Sequence, residues 1–273
     1  MRLMRLFLTA LTATTLVGCA APPPLPSVRA RAATDTHGLA VAESVKQTSN
    51  TAQHLNDDKS IVYSQNFGGG GLGLGLLLGP IGVAANAAMI ESVTKADAAK
   101  MFGKVKLDPA TLFREASGSE LALQQAGATA TVKLTPYLLI TKVNESTLSP
   151  AAALIVEAPA TADGKPWTTK YLFQLQGSYT IDGLAAMNEA QAAALSEQAR
   201  VAYKQLIGFY LRDSNELSGR ERKVVFKSGF VNPRFDFEVA GSLIEQPGAM
   251  TWLRTYGGVY ALQKDSVSYT VQN

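Results

Sequence analysis

Cys19 is the only cysteine in the 273-residue chain, and the two histidines are His37 and His54. A lone thiol can be acylated, oxidised or used as a metal ligand, but it cannot form an internal disulfide. Either histidine could serve as a base beside a serine. Both fall in a polar N-terminal segment with weak patterning, and no Ser-x-x-Lys stands at a convincing helix start. His54 with Asp57 and Asp58 groups residue types that bind metals. The spacing lacks the His-Glu-x-x-His arrangement, and a solvated polar loop is the reading. Glu145, Glu157 and Asp182 could pair for acid-base work on glycans only if the fold brought two of them together. The expectation is therefore a protein without a catalytic residue, a metal or a cofactor.

The residues around Cys19 are more specific. Met1-Arg2-Leu3-Met4-Arg5 is a short basic run, Leu6 to Val17 is apolar, and Leu16-Val17-Gly18-Cys19 closes the segment. This layout resembles the lipobox of bacterial lipoproteins, over about the first 25 residues. The resemblance implies that residues 1–18 are a signal peptide cut before Cys19. It also implies that the Cys19 thiol is diacylated and the new amino group acylated, with chains such as palmitate. Ala20, rather than aspartate, follows the cysteine, which by the same resemblance points to the outer membrane. The alternatives are an ordinary secretory signal or a membrane anchor. A core of 12 residues falls short of the roughly 20 needed to span hydrocarbon.

Removal of residues 1–18 leaves 255 residues with 23 Lys and Arg against 22 Asp and Glu, a net charge of +1. That balance suggests no nucleic-acid partner. With 47% apolar residues, the chain can bury a sizeable core as one large domain or two small ones. Pro22, Pro23, Pro24 and Pro26 favour an extended tether. Arg29 and Arg31 follow, read as solvated linker charges that could also touch anionic head groups.

Residues 67–90 carry no charge. Gly71, Gly75 and Gly79 recur every fourth residue, which would place them on one helical stripe open to a close partner backbone. The segment resembles the glycine zippers of some envelope proteins, although each glycine weakens a helix by about 0.8–1.0 kcal/mol and Pro80 would break one running through it. The competing reading is an apolar loop at 68–79 followed by a helix with Pro80 in its first turn. That helix would reach about Phe102, pack through Ala84, Ala87, Ala88, Ile90 and Val93, and stop at Gly103. Gly68-x-Gly70-x-x-Gly73 matches a dinucleotide fingerprint in form only, since no repeated βαβ pattern surrounds it.

The remaining elements follow from period and punctuation. Ser60–Ser64 predicts a short strand after a polar stretch with weak helical spacing. Asp108-Pro109 predicts a capped helix running towards Gly127, or two short ones divided at Gly118. Residues 131–143 predict a strand that Pro136 would place at an edge or bulge. Residues 152–157 and 170–180 predict two more, the second with Tyr171, Phe173, Leu175 and Tyr179 on one face. Asn188 and Gln191 form a capping box ahead of a helix with Leu195, Ala199, Ala202, Leu206 and Phe209 on one face. Strands are expected at 223–230, 234–239, 251–256, 259–263 and 266–271. Gly257-Gly258 should make a tight hairpin, and Phe235 and Phe237 should point inward. Trp167, Trp252, Tyr256 and Tyr260 suit either a groove or a core with hydroxyls at the rim.

The expected fold is α+β, a mixed or mainly antiparallel sheet packed against helices and preceded by a tethering linker. Its parts are the signal peptide (1–18), the lipidated cysteine and tether (19–59), the glycine-rich segment and helix (60–103) and the globular domain (104–273). The functional expectation is a lipid-anchored outer-membrane lipoprotein facing the periplasm. It would be a non-enzymatic binding or assembly component of a cell-envelope complex, partnered by the bilayer and by an envelope protein or itself. The alternative is a self-assembling, membrane-inserting or pore-forming protein that uses residues 67–90. A third expectation, a periplasmic hydrolase, rests only on the fact that a fold never excludes activity.

Overall fold

Strand Leu148–Ala158 shows why the molecule has two cores. Ala152, Leu154 and Val156 point into one and Ala151, Ala153 and Ile155 into the other, so the strand is apolar from Pro150 to Val156. That is the pattern of a strand covered on both faces. The structure, a computed structural model, describes residues 25, 28–29, 31–67, 79–125, 129–159, 166–213, 217, 221–233, 236–244 and 248–272.

The elements begin with β1 (His37–Leu39), α1 (Glu43–Lys46), β2 (Ala52–His54) and β3 (Ile61–Ser64). Two helices follow, α2 (Gly79–Met101) and α3 (Pro109–Ser117). The central strands are β4 (Val132–Lys142), β5 (Leu148–Ala158) and β6 (Trp167–Gln174). Helices α4 (Ile181–Ala185) and α5 (Glu189–Asp213) precede β7 (Glu221–Lys227), β8 (Val239–Ile244), β9 (Met250–Thr255), β10 (Gly258–Gln263) and β11 (Ser268–Val271). The fold is α+β. Its mixed sheet runs β11-β7-β8-β9-β10-β6-β5-β4-β3-β2, with β1 also paired to β4. Most neighbours are antiparallel, while β6–β10, β3–β4 and β1–β4 are parallel.

The first core lies between the sheet and helices α3 and α5. Leu195, Ala199, Ala202, Leu206 and Phe209 are all fully buried there, as their spacing requires. The capping box forms as expected. Asn188 N–H donates to Gln191 Oε1 at 3.0 Å, and Gln191 N–H donates to Asn188 Oδ1 at 2.9 Å. Trp252 stacks on Phe209 at 4.2 Å with the rings 3° from parallel, so this tryptophan belongs to the core. The second core sits on the opposite face, inside the curl of the sheet. It joins Tyr137 and Ala153 to Val224 and Phe226 from the other arm, beneath Val45 of α1. Asn66 Nδ2 donates to Pro233 O at 2.9 Å, which ties the segment after β3 to the turn after β7.

Several expectations change. The tether expected through residue 59 gives way to sheet at His37, because β1 and then β2–β3 pair alongside β4. Arg29 is not a solvated linker charge; its guanidinium grips Asp35 at 2.7 and 2.9 Å. Pro136 is not on an edge strand. Val132 and Leu138 donate towards β1 and β3, and Pro136 has the same parity, so its missing N–H falls in the gap between those two short strands. Helix α3 stops at Gly118, whose φ is +45°. Strand β6 ends at Gln174 instead of Thr180, and residues 236–238 lie outside β8. Phe237 is 56% exposed rather than inward, and Phe235 lies outside the described residues. The β9–β10 turn uses Tyr256 and Gly257, with Thr255 opposite Gly258.

Helix α2 starts where Pro80 implies, but its packing stripe is displaced. Ile90, Thr94, Asp97, Ala98 and Met101 are buried, whereas Ala84 and Ala88 are exposed. Its seat is polar. Asp97 receives Tyr63 O–H at 2.9 Å and Lys142 Nζ at 3.1 Å, and Thr94 O–H donates to Ile90 O at 2.6 Å. Among the described residues, no helix is long and apolar enough to cross a membrane.

Candidate binding pocket

On the face of the sheet opposite α3 and α5, the floor between β3 and β6 is not fully filled. Val62, Leu139 and Ile155 form an apolar base, α1 makes one wall, and the Tyr256-Gly257 turn makes another. The space enclosed is about 430 Å³, within the ~300–1,000 Å³ typical of small-molecule sites.

Lys170 is the charge in this space. In β6 it sits opposite Ile155 and shares its face with Leu172 of the second core. No hydrogen bond or ion pair engages its ammonium among the described residues, and burial alone pulls its pKa below the ordinary lysine value. Desolvation disfavours the charged form of a lysine, which accounts for the direction. Tyr137, from β4, adds a phenol to the lining. It is 5% exposed. Burial, then the neighbouring Tyr260, pushes its phenol pKa up. Its hydroxyl therefore stays protonated and can donate.

A glycine packs against the backbone of Lys170 at the pocket wall. An ideal Cβ on Gly258 would lie 2.3 Å from the Lys170 carbonyl oxygen, and the residue has φ +127°. Only glycine accepts both the contact and the angle. Thr255 secures the turn: Gly257 N–H donates to its Oγ1 at 3.0 Å, and that hydroxyl donates to Gly258 O at 3.2 Å. Tyr256 is left 68% exposed at the pocket mouth. Among the described residues the lining offers one cation, a phenol, the polar side chains of Ser44, Gln47, Ser64, Thr168 and Thr169, and an apolar floor, with no carboxylate or imidazole.

The residues singled out by type and spacing lie elsewhere. Cys19, Gly71 and Gly75 lie outside the described residues; Gly79 is the first residue of α2. His37 is buried, with Nε2 3.0 Å from the Tyr210 hydroxyl. His54 Nε2 meets Lys46 O at 2.8 Å, and Asp58 accepts the N–H and O–H of Ser60 in a local turn. No group of three or more His, Cys, Asp and Glu is placed to hold a metal among the described residues. Glu145 precedes β5 and Glu157 stands near its far end, roughly 30 Å apart at the rise of a strand. The four aromatics part company: Tyr256 borders the pocket, Tyr260 and Trp167 pack on the second and first cores, and Trp252 is interior.

A second cavity, of about 460 Å³, lies between α5 and the sheet, with Phe173, Val201 and Trp252 against a rim that includes Gln198 and Gln205. Its one acid, Glu197, is engaged by Arg200 at 2.6 Å. The most heavily charged interior site is structural. Arg254 binds Asp213 through both terminal nitrogens and Glu221 through Nε at 2.8 Å, and Tyr171 O–H donates to Asp213 at 3.0 Å. Burial works against the Arg254 charge, but these two carboxylates outweigh it and raise its pKa.

Comparison with known proteins found no matching family model, curated protein or solved structure.

Lys170 was not singled out from the sequence. It stands in a strand whose opposite face, Tyr171 and Phe173, carries the obvious signal. The available clue is that Lys170 shares its own face with Leu172, so a lysine falls where a second apolar face requires a core residue.

Proposed function

We propose that the protein is a lipid-anchored outer-membrane lipoprotein that faces the periplasm, and that its domain serves as a non-enzymatic binding or assembly component of a cell-envelope complex. The observation that carries this reading is the place where the chain becomes fastened. Arg29 grips Asp35, Arg31 Nη1 donates to Leu211 O at 3.2 Å, and His37 meets Tyr210. Only nine residues separate Cys19 from Arg29, a reach of roughly 35 Å when fully extended. Two or three acyl chains on Cys19, at about 0.8 kcal/mol per buried methylene, would hold the folded body close to a bilayer. The test is a Cys19→Ser variant with metabolic fatty-acid labelling, fractionation and in-cell cross-linking. Loss of label, of membrane association and of cross-linked partners is expected. A variant that keeps its label and its place in the membrane fraction would refute the anchor, and an anchored protein with no cross-linked partner would refute the assembly role.

A second reading draws on the first half of α2. Val83 and Met89 are 58% and 49% exposed, and Ala84, Ala85 and Ala88 are exposed beside them. This apolar surface continues the charge-free run that contains Gly71, Gly75 and Gly79, and it suits self-association or contact with lipid. Replacement of Gly75 by leucine should abolish ring-like oligomers seen by electron microscopy. A wild-type protein that stays monomeric in detergent rules this reading out.

A further inference from the structure

We infer that the pocket between α1 and the Tyr256-Gly257 turn binds a small molecule with a single carboxylate on a hydrocarbon body, the carboxylate on Lys170 and Tyr137 and the hydrocarbon on Val62, Leu139 and Ile155. The inference rests on the reading of the domain as a binding module. It does not depend on the lipid anchor.

Three observations point to this ligand chemistry. The first is charge. Lys170 is half-buried; an ammonium kept partly from water is costly unless something pairs with it, and nothing does among the described residues. One ammonium calls for one negative charge, and among the described residues no carboxylate lines the pocket, which leaves that position to the ligand. A phosphate dianion would need a second cation, which no described residue of the lining supplies. The second is the donor set. Tyr137 is two strands from Lys170 and offset by one residue pair, since Tyr137 faces Ala153 and Lys170 faces Ile155. Their Cα atoms are then about 12 Å apart, a gap that two long side chains can close around one carboxylate. The third is the floor. Val62, Leu139 and Ile155 offer a hydrocarbon surface in line with the charge, where a bare inorganic anion would gain nothing.

The close approach of the turn to the β6 backbone explains the glycine. Any side chain at position 258 would collide with the backbone of Lys170, and Gly258 lines the pocket together with Lys170. Tyr256 stands exposed at that mouth.

The test uses the full lipidated chain in nanodiscs with octanoate as the probe. Octanol, octyltrimethylammonium and inorganic phosphate are the comparison compounds, and empty nanodiscs supply the background. Binding is followed by ligand-observed NMR. Occupancy of the site is read from protection of Lys170 against an amine-acylating reagent, with site-resolved mass spectrometry and exposed Lys133 as the internal reference. Octanoate should protect Lys170 and leave Lys133 unchanged, while octanol, octyltrimethylammonium and phosphate should protect neither. Lys170→Met should weaken octanoate binding at least about tenfold, the loss of one charged contact. Lys170→Arg should retain binding to within a few-fold, and Tyr137→Phe should weaken it a few-fold. Circular dichroism confirms that each variant is folded. Unchanged Lys170 labelling at saturating octanoate overturns the inference. Equal protection by octanol or phosphate does the same, as does a folded Lys170→Met variant that binds like the wild type. Recovery of a cross-linked envelope partner without octanoate binding would leave the assembly role standing and remove only the ligand.

Discussion

His37 shows how a residue with ordinary chemistry becomes a structural one. Burial lowers its pKa, and the Arg31 charge adds to the effect, with Asp35 opposing. The folded ring is therefore neutral at a pH where the unfolded ring, near 6.5, begins to take a proton. The unfolded state binds more protons in that window, so stability is full above about 6.5 and falls as pH drops towards the lowered folded value. Denaturant titrations from pH 7.5 to 5 should show this loss, and a folded His37→Gln variant should flatten it; an identical slope in both proteins would show that other groups carry the pH dependence. The partner could not be read from the sequence, since Tyr210 lies 173 positions away. Lys170 makes the opposite case. An ammonium kept partly from water and without a counter-charge weakens the fold. Lys170→Met, apolar and of similar length, should raise stability by about 1 kcal/mol, seen as a higher urea midpoint in the absence of ligand. A lower midpoint would mean that the lysine has a stabilising partner.

At the scale of elements, legibility followed how local the cause was. Helix α5 was readable because its capping box and its stripe are short-range patterns, and both form. Loss of the cap in Asn188→Ala should lower stability by about 1 kcal/mol in thermal denaturation. The position of Pro136 was not readable. The proline does mark a missing donor, but the site that tolerates it is a gap between β1 and β3, two strands far upstream in the chain. The displaced stripe of α2 has a similar origin. Alanines define a plausible packing face, yet the sheet offers Tyr63, Gln65 and Lys142, so Thr94 and Asp97 turn inward instead. The Arg254 cluster joins α5, β6, β7 and β9 across 33 to 42 positions of sequence, and single-sequence patterning holds no trace of it. Truncation in Arg254→Ala would strand two carboxylates, one of them almost fully buried. The expected destabilisation is about 3–5 kcal/mol, measured by chemical denaturation. A change below about 1 kcal/mol would show that water reaches Asp213 and replaces the arginine.

For the whole molecule, the open question is which way the body faces if Cys19 carries the anchor, and the fastening of Arg29, Arg31 and His37 bears on it directly. Arg31 and His37 meet the last residues of α5, at Leu211 and Tyr210, and Arg29 holds the intervening Asp35. The C-terminal end of α5 is thus within a short span of the tether, while its N-terminal end at Glu189 lies further along a helix of 25 residues, about 37 Å at 1.5 Å per residue. A domain hung in this way should present the Tyr210 end of α5 towards the bilayer and the Asn188 end away from it. Single cysteines placed at the exposed positions Arg212 and Glu189 can carry fluorophores in nanodiscs that contain spin-labelled lipid. Arg212→Cys should be quenched clearly more than Glu189→Cys. The difference should vanish in a non-lipidated Cys19→Ser background, where no anchor sets the orientation. A flexible insertion of some 20 Gly and Ser residues ahead of Arg29 should reduce the difference without changing the fold, because the fastening begins at Arg29 and the longer tether frees the body to tumble. Equal quenching at the two sites in the wild-type chain would mean that the grip of Arg29 on Asp35 does not control orientation, and that the exposed apolar half of α2, not the tether, sets how the protein meets its membrane.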